Sequence, residues 1–139
     1  MKKDLTTPGQ LLELSGSYWK TCTLHAAVKL DIFTTIGSRE MTAVDIARSL
    51  RSKDRAVSML VNALAAMGLI DKNGEQYTLP LSSQTLLSKT SEKYIGHMIM
   101  HHHHLVPQWA ELSQAIKTGK PVKSRVSFED PKTRESFLM

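Results

Sequence analysis

The clearest alternation of apolar and polar positions lies in residues 41–79, where it predicts two helices followed by a β-hairpin. Thr42 and Asp45 form a Thr-x-x-Asp version of the capping box, which places the start of the first helix. A second helix is predicted from about Asp54, after a short polar turn. Its apolar positions have the spacing of one buried face: Val57, Leu60, Val61, Leu64 and Met67. Helix, turn, helix and hairpin in this order are typical of a winged helix.

Glycines predict where this unit turns. Gly68 follows the second helix, a position where glycine commonly ends a helix. Leu69 and Ile70 are expected to open the first strand of the hairpin. The pair Asn73-Gly74 is expected to form the hairpin turn, because this dipeptide tolerates two positive φ angles.

A long apolar stretch precedes the winged-helix pattern. From Pro8 to Phe33 the sequence is compatible with one helix that has an apolar side. Ser15, Gly16 and Ser17 interrupt this stretch and indicate either a break between two helices or a close helix crossing. So small a domain cannot bury all the large apolar side chains of this stretch, so a second copy of the chain is the expected cover. The predicted dimer interface consists of Leu11, Leu12, Tyr18, Trp19 and Cys22.

The segment after the hairpin is predicted to contain a connector and two helices. Residues 79–89 form the expected connector, and Ser91 is expected to cap the first helix. Pro107 is expected to start or kink the second helix, which Gly119 and Pro121 end. The expected buried face of the first helix consists of Tyr94, Ile95, Met98 and Ile99.

Composition narrows the class of protein. The 139 residues are 41% hydrophobic and 22% charged, which favours one folded domain over disorder. Cys22 is the only cysteine, so neither an internal disulfide nor a cysteine-rich zinc site can form. The sequence has no apolar signal-peptide core and no run of about 20 apolar residues that could span a membrane. We therefore expect a soluble, cytoplasmic protein.

The winged-helix pattern raises the question of DNA binding. The net charge is +5, but lysines and arginines are scattered along the chain rather than clustered. The outward side of the second helix offers one cation and one amide, Arg55 and Asn62, where several phosphate and base contacts would be expected. The cations that favour DNA binding are Arg48, Arg51 and Lys53. Nucleic acid is therefore not the expected partner, and a DNA-binding transcriptional regulator is kept as the alternative.

Four consecutive histidines, His101 to His104, are the most unusual feature of the composition. On a helix, His97, His101 and His104 share one face, so these histidines could be solvated or partly packed, could line a ligand pocket, or could bind a metal. No carboxylate or cysteine lies nearby on that face, and we assign no metal site. The candidate wall of a substrate pocket consists of Met98, His101, His104 and Trp109. Because the sequence lacks a glycine-rich nucleotide loop, a nucleophile elbow and paired carboxylates, it yields no catalytic or cofactor-binding residue.

Several segments carry a resemblance to a known family. They are LHAAVKLDIF, TAVDIARSL, SMLVNALAAMGLI and YTL, followed by YIGHMIMHHHHLVPQWAELSQAIKTGKP. Together they resemble the N-terminal dimerisation domain of S-adenosylmethionine-dependent O-methyltransferases. The last segment is the most specific, because winged-helix repressors are not expected to continue with its spacing of Trp109, Leu112, Gly119 and Pro121.

The resemblance implies a mainly α fold, with a winged helix-turn-helix core, a small β-hairpin, and N- and C-terminal helical arms for intertwined dimerisation. It divides the chain into an arm at 1–38, a winged-helix core at 39–90 and a helical C-terminal part of the same domain at 91–122. Residues 123–139 would then be a linker and the start of a missing catalytic domain. The implied protein is a homodimer whose small-molecule substrate pocket this domain helps to wall. S-adenosylmethionine and the catalytic base would belong to the separate domain, so the chain alone is expected to be inactive.

Overall fold

The computed structural model describes residues 7–122 of the chain. Within them the fold is mainly helical, as expected, with one two-stranded antiparallel hairpin. The helices are α1 (Pro8–Ser15), α2 (Tyr18–Lys29), α3 (Ile32–Ile36), α4 (Ala43–Leu50), α5 (Asp54–Ala66), α6 (Leu81–Leu87), α7 (Gly96–Ala110) and α8 (Leu112–Thr118), and the strands are β1 (Asp71–Asn73) and β2 (Gln76–Thr78). None of the described helices has the length and hydrophobicity that a membrane-spanning helix needs. The pattern predicted for residues 123–139 lies outside the described residues.

The hydrophobic core lies between the end of α2, the helices α3, α4 and α5, and the hairpin. On α5 the predicted positions Val57, Val61 and Leu64 are buried, while Leu60 and Met67 are partly buried. The largest fully buried side chains are Phe33, Ile32, Ile36, Ile46, Leu64, Ile70 and Val61. The apolar spacing therefore predicted the buried face of α5 correctly.

The predicted capping box fixes the start of α4. The hydroxyl of Thr42 accepts a hydrogen bond from the N–H of Asp45 at 3.1 Å, and the Asp45 carboxylate accepts one from the N–H of Thr42 at 3.3 Å. These hydrogen bonds from Thr42 lower the pKa of the Asp45 carboxyl. At the other end of α4, Arg51 adopts a positive φ of 51° and begins the polar turn that leads into α5. This part of the prediction is confirmed to the residue.

A Schellman motif around Gly68 ends α5. The N–H of Gly68 donates to the carbonyl of Ala65 and the N–H of Leu69 donates to the carbonyl of Leu64, each at 3.0 Å. Gly68 has a φ of 78°, which confirms its predicted role. Because the N–H of Leu69 completes the helix end, the prediction that the strand opens there is wrong. The strand β1 begins two residues later, at Asp71.

The hairpin turn also differs from its prediction. Asn73 pairs with Gln76, so the two loop residues are Gly74 and Glu75 rather than Asn73 and Gly74. Gly74 has a φ of 60°, and neither Asn73 nor Glu75 has a positive φ. A glycine with positive φ at the first loop position is the pattern of a type II′ turn. The predicted positive φ of Gly74 is therefore confirmed, but the two-residue turn lies one residue further along the chain than predicted.

The N-terminal stretch is broken twice. The first break lies at Gly16 and Ser17, which form a turn between α1 and α2, so the alternative of two separate helices is the correct one. The second break lies before α3, where Asp31 adopts a φ of 60° and its carboxylate pairs with the ammonium of Lys89 at 2.8 Å. Phe33 consequently lies on α3 inside the core, and the single apolar side expected from Pro8 to Phe33 does not exist.

Residues 79–89, predicted to be a connector, contain the helix α6. Ser83 on this helix is buried, and its hydroxyl donates to the carbonyl of Leu69 at 2.7 Å. Leu87 joins the core from the same helix. The segment has too few apolar positions to show a helical period, which is why the sequence did not predict it.

The first helix after the connector starts and ends at other residues than predicted. The Ser91 hydroxyl does not cap it, but accepts from the N–H of Lys93 at 3.1 Å, and α7 begins at Gly96. The ring of Tyr94 lies so close to Gly96 that a side chain there would clash. Pro107 lies inside α7 and does not start the next helix, which begins at Leu112. The expected end of α8 at Gly119 is confirmed by its φ of 65°.

The buried face expected from Tyr94, Ile95, Met98 and Ile99 is only partly present. Ile99 packs against the core together with Met100, and Tyr94 is partly buried. Ile95 and Met98 are exposed. The prediction was wrong for these two residues because α7 contacts the rest of the described chain along α2 with a different side.

Candidate functional site

The N-terminal arm consists of α1 and the beginning of α2, and it presents large apolar side chains to solvent. Thr7 caps α1 by accepting a hydrogen bond from the N–H of Gln10 at 3.3 Å, and Pro8 follows in the first turn. No residue of α1 is buried. Leu12 is 72% exposed and Trp19 is 66% exposed. The exposed apolar residues, called the arm surface below, are Leu11, Leu12, Leu14, Tyr18 and Trp19.

The break at Gly16 shapes the arm surface. The ring of Trp19 lies against Gly16, where a Cβ would come within 3.3 Å of it. The rings of Tyr18 and Trp19 meet edge to face with their centroids 5.9 Å apart. The Thr23 hydroxyl donates to the carbonyl of Trp19 at 2.7 Å and supports the first turn of α2. The small residue at the break therefore lets an aromatic pair lie beside the leucines of α1.

The structure places all five predicted dimer-interface residues at the surface. Leu11 and Leu12 lie on α1, and Tyr18, Trp19 and Cys22 lie on the first two turns of α2. All five are exposed, including the Cys22 thiol. Leu14, another of the large apolar side chains that one chain was not expected to bury, is also exposed and lies on α1.

The four predicted pocket residues lie on α7. Met98 is 56% exposed and Trp109 is 69% exposed. They are eleven residues apart, about three helical turns, so they lie on one side of α7, called its outer face below. Helical spacing places His101 and His104, which are partly buried, about 60° and about 120° from Met98 around α7, so His101 borders the outer face and His104 lies between this face and the packed side. Trp109 also borders a shallow apolar groove with Leu112 of α8, which Met98, His101 and His104 do not line.

The opposite side of α7 packs against α2 through a pair of histidines. His25 is only 4% exposed, and its ring meets the ring of His103 edge to face at a centroid distance of 5.4 Å. The Nδ1 atom of His25 is buried without a hydrogen-bond partner among the described residues. Burial, followed by the charge of nearby His103, lowers the pKa of His25. Burial, followed by the charge of Lys29, lowers the pKa of His103.

Nothing in the sequence distinguished His25 as a functional residue. It lies between apolar residues of the segment LHAAVKLDIF, on a helix whose boundaries were not predicted correctly. The one feature that could have indicated its role is that a polar side chain lies close to Ala27 and Val28, which are buried. His103 was noticed only as one of four consecutive histidines.

The structure gives no support to a metal site on α7. Within residues 7–122, no three histidine, cysteine or carboxylate side chains come together closely enough to hold a metal ion. The His97 ring packs edge to face against Tyr94 with a centroid distance of 5.1 Å. The interpretation of packed histidines therefore suits His97 and His103 better than metal ligation does.

Hydrogen bonds connect the outward side of α5 to the hairpin. The side-chain oxygen of Asn62 accepts hydrogen bonds from the Tyr77 hydroxyl at 2.6 Å and from the Lys72 ammonium at 2.9 Å. The amide considered above as a DNA contact thus has a structural partner on each of two hairpin strands. These hydrogen bonds do not support the alternative of a DNA-binding transcriptional regulator.

Comparison with known proteins identifies relatives of the whole chain. The tetracenomycin polyketide synthesis 8-O-methyl transferase of Streptomyces glaucescens is 28% identical over 138 residues, which cover 94% of this chain and 41% of that protein. PigF, an S-adenosyl-L-methionine-dependent methyl transferase of a Serratia species, is 26% identical over 127 residues, which cover 91% of this chain and 36% of PigF. The chain therefore spans less than half the length of these relatives.

Solved structures agree with these relatives. An O-methyltransferase family protein from Burkholderia thailandensis superposes with a TM-score of 0.84 and 27% identity, over 96% of this chain and 41% of that one. A structure of PigF with SAH superposes with a TM-score of 0.83 and 24% identity, over 94% of this chain and 42% of that one. The family model of the O-methyltransferase dimerisation domain matches residues 12–89. The chain therefore belongs to the family of O-methyltransferase dimerisation domains.

Proposed function

We propose that this domain joins two copies of a small-molecule O-methyltransferase through the arm surface. The observation that carries the proposal is that α1 buries none of its residues while Leu12 and Trp19 are exposed. An isolated helix of this length is marginal in water, so α1 gains its stability from packing. The second copy of the chain presents the same apolar residues, which is what a two-fold symmetric interface requires.

The rest of the chain acts as the scaffold of this interface. In the proposal α4, the following turn, α5 and the hairpin are a winged helix with a structural role. It forms the core at residues 39–90, to which the end of α2 and α3 also contribute, and it carries the N-terminal arm of the stretch 1–38, which intertwines with the arm of the second copy. Residues 91–122 belong to the same domain, and residues 123–139 connect it to a catalytic domain. The tie between Asn62 and the hairpin supports a structural role, because it holds α5 and the hairpin together.

The variant Trp19→Glu tests the homodimer. It places a charge in the centre of the arm surface and should convert the purified chain from dimer to monomer in light scattering at micromolar concentration. Leu81→Glu is the matched control, because Leu81 is at least as exposed as Trp19 but lies on α6, outside the arm. A monomeric wild-type chain, or a Trp19→Glu chain that stays dimeric, would contradict the proposal.

The methyl donor in this proposal is S-adenosylmethionine, bound by a domain other than this one. Two observations support it: PigF is an S-adenosyl-L-methionine-dependent relative with a structure that contains SAH, and the present sequence has no glycine-rich loop for a nucleotide. The acceptor is the hydroxyl group of a small molecule, in line with the polyketide 8-O-methyl transferase among the relatives. We place the enzyme in the cytoplasm.

The outer face of α7 forms part of the substrate pocket in this proposal. Met98, His101, His104 and Trp109 combine apolar area with two hydrogen-bonding imidazoles, which suits a flat molecule with polar substituents. In the complete methyltransferase, Met98→Ala and Trp109→Ala should each raise KM about fivefold, since each removes about 1 kcal/mol of contact. Leu81→Ala is the control. Unchanged KM values in both variants would exclude these residues from the pocket without affecting the dimer proposal.

A further inference from the structure

The contact between α2 and α7 contains a polar group that simple packing does not explain. His25 is buried, yet its Nδ1 has no hydrogen-bond partner among the described residues. A buried nitrogen without a partner is unfavourable, and an apolar side chain of similar size would fill the same space without that penalty. The ring faces another imidazole, that of His103, at a centroid distance of 5.4 Å. Two neutral imidazoles tolerate this contact, whereas burial disfavours a positive charge on either ring.

The charged and titratable groups around this pair are mostly bases. From α7 the neighbours are His102, His103 and His104, and α2 itself contributes Lys29. Of the other helices packed on α2, α3 has no ionisable side chain, and α5 has only Asp54 and Arg55 in its first turn. On α8, which packs on α7, the ionisable side chain is Lys117, and Glu111 lies between these two helices. No carboxylate is among the groups whose charge shifts the pKa of His25 or His103.

We propose that the contact between His25 and His103 is an acid-sensitive latch, which holds α7 against α2 and opens when either imidazole takes up a proton. The latch follows from the buried, unpartnered nitrogen, the edge-to-face ring contact and the basic surroundings. It does not depend on the methyltransferase activity. If the proposed function is also correct, the latch connects the helix that begins with Tyr18 and Trp19 of the arm to the helix whose outer face lines the substrate pocket.

The direction of the pH effect follows from the pKa shifts. The pKa values of His25 and His103 are lowered from 6.5 in the folded chain, mainly by burial. When α7 separates from α2, the rings return towards their ordinary pKa and bind protons more readily. The contact is therefore fully favourable above the ordinary pKa and weakens as the pH falls below it. Each histidine can change the opening equilibrium by at most about tenfold per pH unit.

Hydrogen exchange of the full 139-residue chain at pH 7.5, 6.5 and 5.5 tests the latch. After correction for intrinsic exchange rates, the amides of α7 and of the second half of α2 should open about tenfold more at pH 5.5 than at pH 7.5. The amides of α5 should show a smaller change. Equal protection of α7 at all three pH values would overturn the proposal.

Two phenylalanine variants and a matched control make the test specific. His25→Phe and His103→Phe keep an aromatic ring but cannot take up a proton, so each should reduce the pH effect on α7 at least threefold. His101→Phe removes a histidine from the same run without touching His25 and should keep the full effect. If His25→Phe does not fold, His103→Phe decides the test, because His103 is partly exposed. An unchanged pH effect in His103→Phe would refute the latch.

The same measurement on a Trp19→Glu background separates the latch from the dimer. A pH effect that survives in the monomer supports a latch within one chain. A pH effect that disappears with the dimer would place the acid-sensitive contact between the two copies and overturn the proposal. Failure of the wild-type chain to dimerise would contradict the proposed function, but would leave the latch measurement valid.

Discussion

The arm and the core of this domain contain similar apolar residues, but those of the core are buried and those of the arm are exposed. In the core, Ile32, Phe33 and Ile36 on a five-residue helix are all fully buried, because α2, α4 and α6 of the same chain cover them. In the arm, Leu11, Leu12 and Leu14 on a longer helix remain exposed. The core is therefore complete within one chain, whereas the described part of the chain leaves the arm uncovered.

The largest expected difference between the core and the arm is in the free energy of unfolding that an alanine substitution removes. Phe33→Ala leaves a cavity in the core and should lower the free energy of unfolding by about 3–5 kcal/mol, measured by urea denaturation followed by circular dichroism. Trp19→Ala in the arm should change that free energy by less than about 0.5 kcal/mol at a concentration where the chain is monomeric. A loss of similar size in both variants would show that the arm is packed within one chain.

A smaller difference in unfolding free energy is expected between the two threonine caps, Thr42 of α4 and Thr7 of α1. Thr42→Ala removes the capping box of α4 and should cost about 1 kcal/mol of unfolding free energy in thermal or urea denaturation. Thr7→Ala removes the cap of α1 and should cost less than about 0.3 kcal/mol in the monomer, because α1 frays independently of the core. Equal costs would mean that α1 unfolds together with the core.

The smallest effect lies at the turn that leads from α2 into the core. Asp31 has a φ of 60°, a conformation that costs most residues about 1–2 kcal/mol but glycine almost nothing. Its ion pair with Lys89 is about half exposed and adds little. Asp31→Gly should therefore be about 0.5 kcal/mol more stable than Asp31→Ala, after the extra unfolded-state entropy of glycine is included. If urea denaturation showed the reverse order of stability, the positive φ of residue 31 would not determine the stability of this turn.

The sequence predicted best where local signals agreed with packing. The capping box at Thr42 and the glycine at the end of α5 act through neighbouring backbone groups, so their roles could be read without a structure. The apolar period of α5 was also correct, because this helix packs with one face on the core. The arm residues were predicted from their excess over what a small domain can bury, and the structure indeed leaves them exposed.

The remaining errors have a common physical cause. Leu69, Ser91 and Pro107 were assigned from local preferences, but their roles depend on contacts elsewhere in the fold. The N–H of Leu69 closes α5, and the Tyr94 ring occupies the space beside Gly96 at the start of α7. His25 was missed because its importance comes from a partner 78 positions further along the chain. No local pattern contains such a contact.

The fluorescence of Trp19 tests the central claim most directly. The chain has two tryptophans, so Trp109→Phe leaves Trp19 as the only tryptophan, in the middle of the arm surface. If a second copy covers the arm, the emission should lie at short wavelength at high concentration and shift to long wavelength on dilution, with the same midpoint as the mass change in light scattering. Emission typical of a fully exposed tryptophan at every concentration would contradict the claim that the arm is a dimer interface.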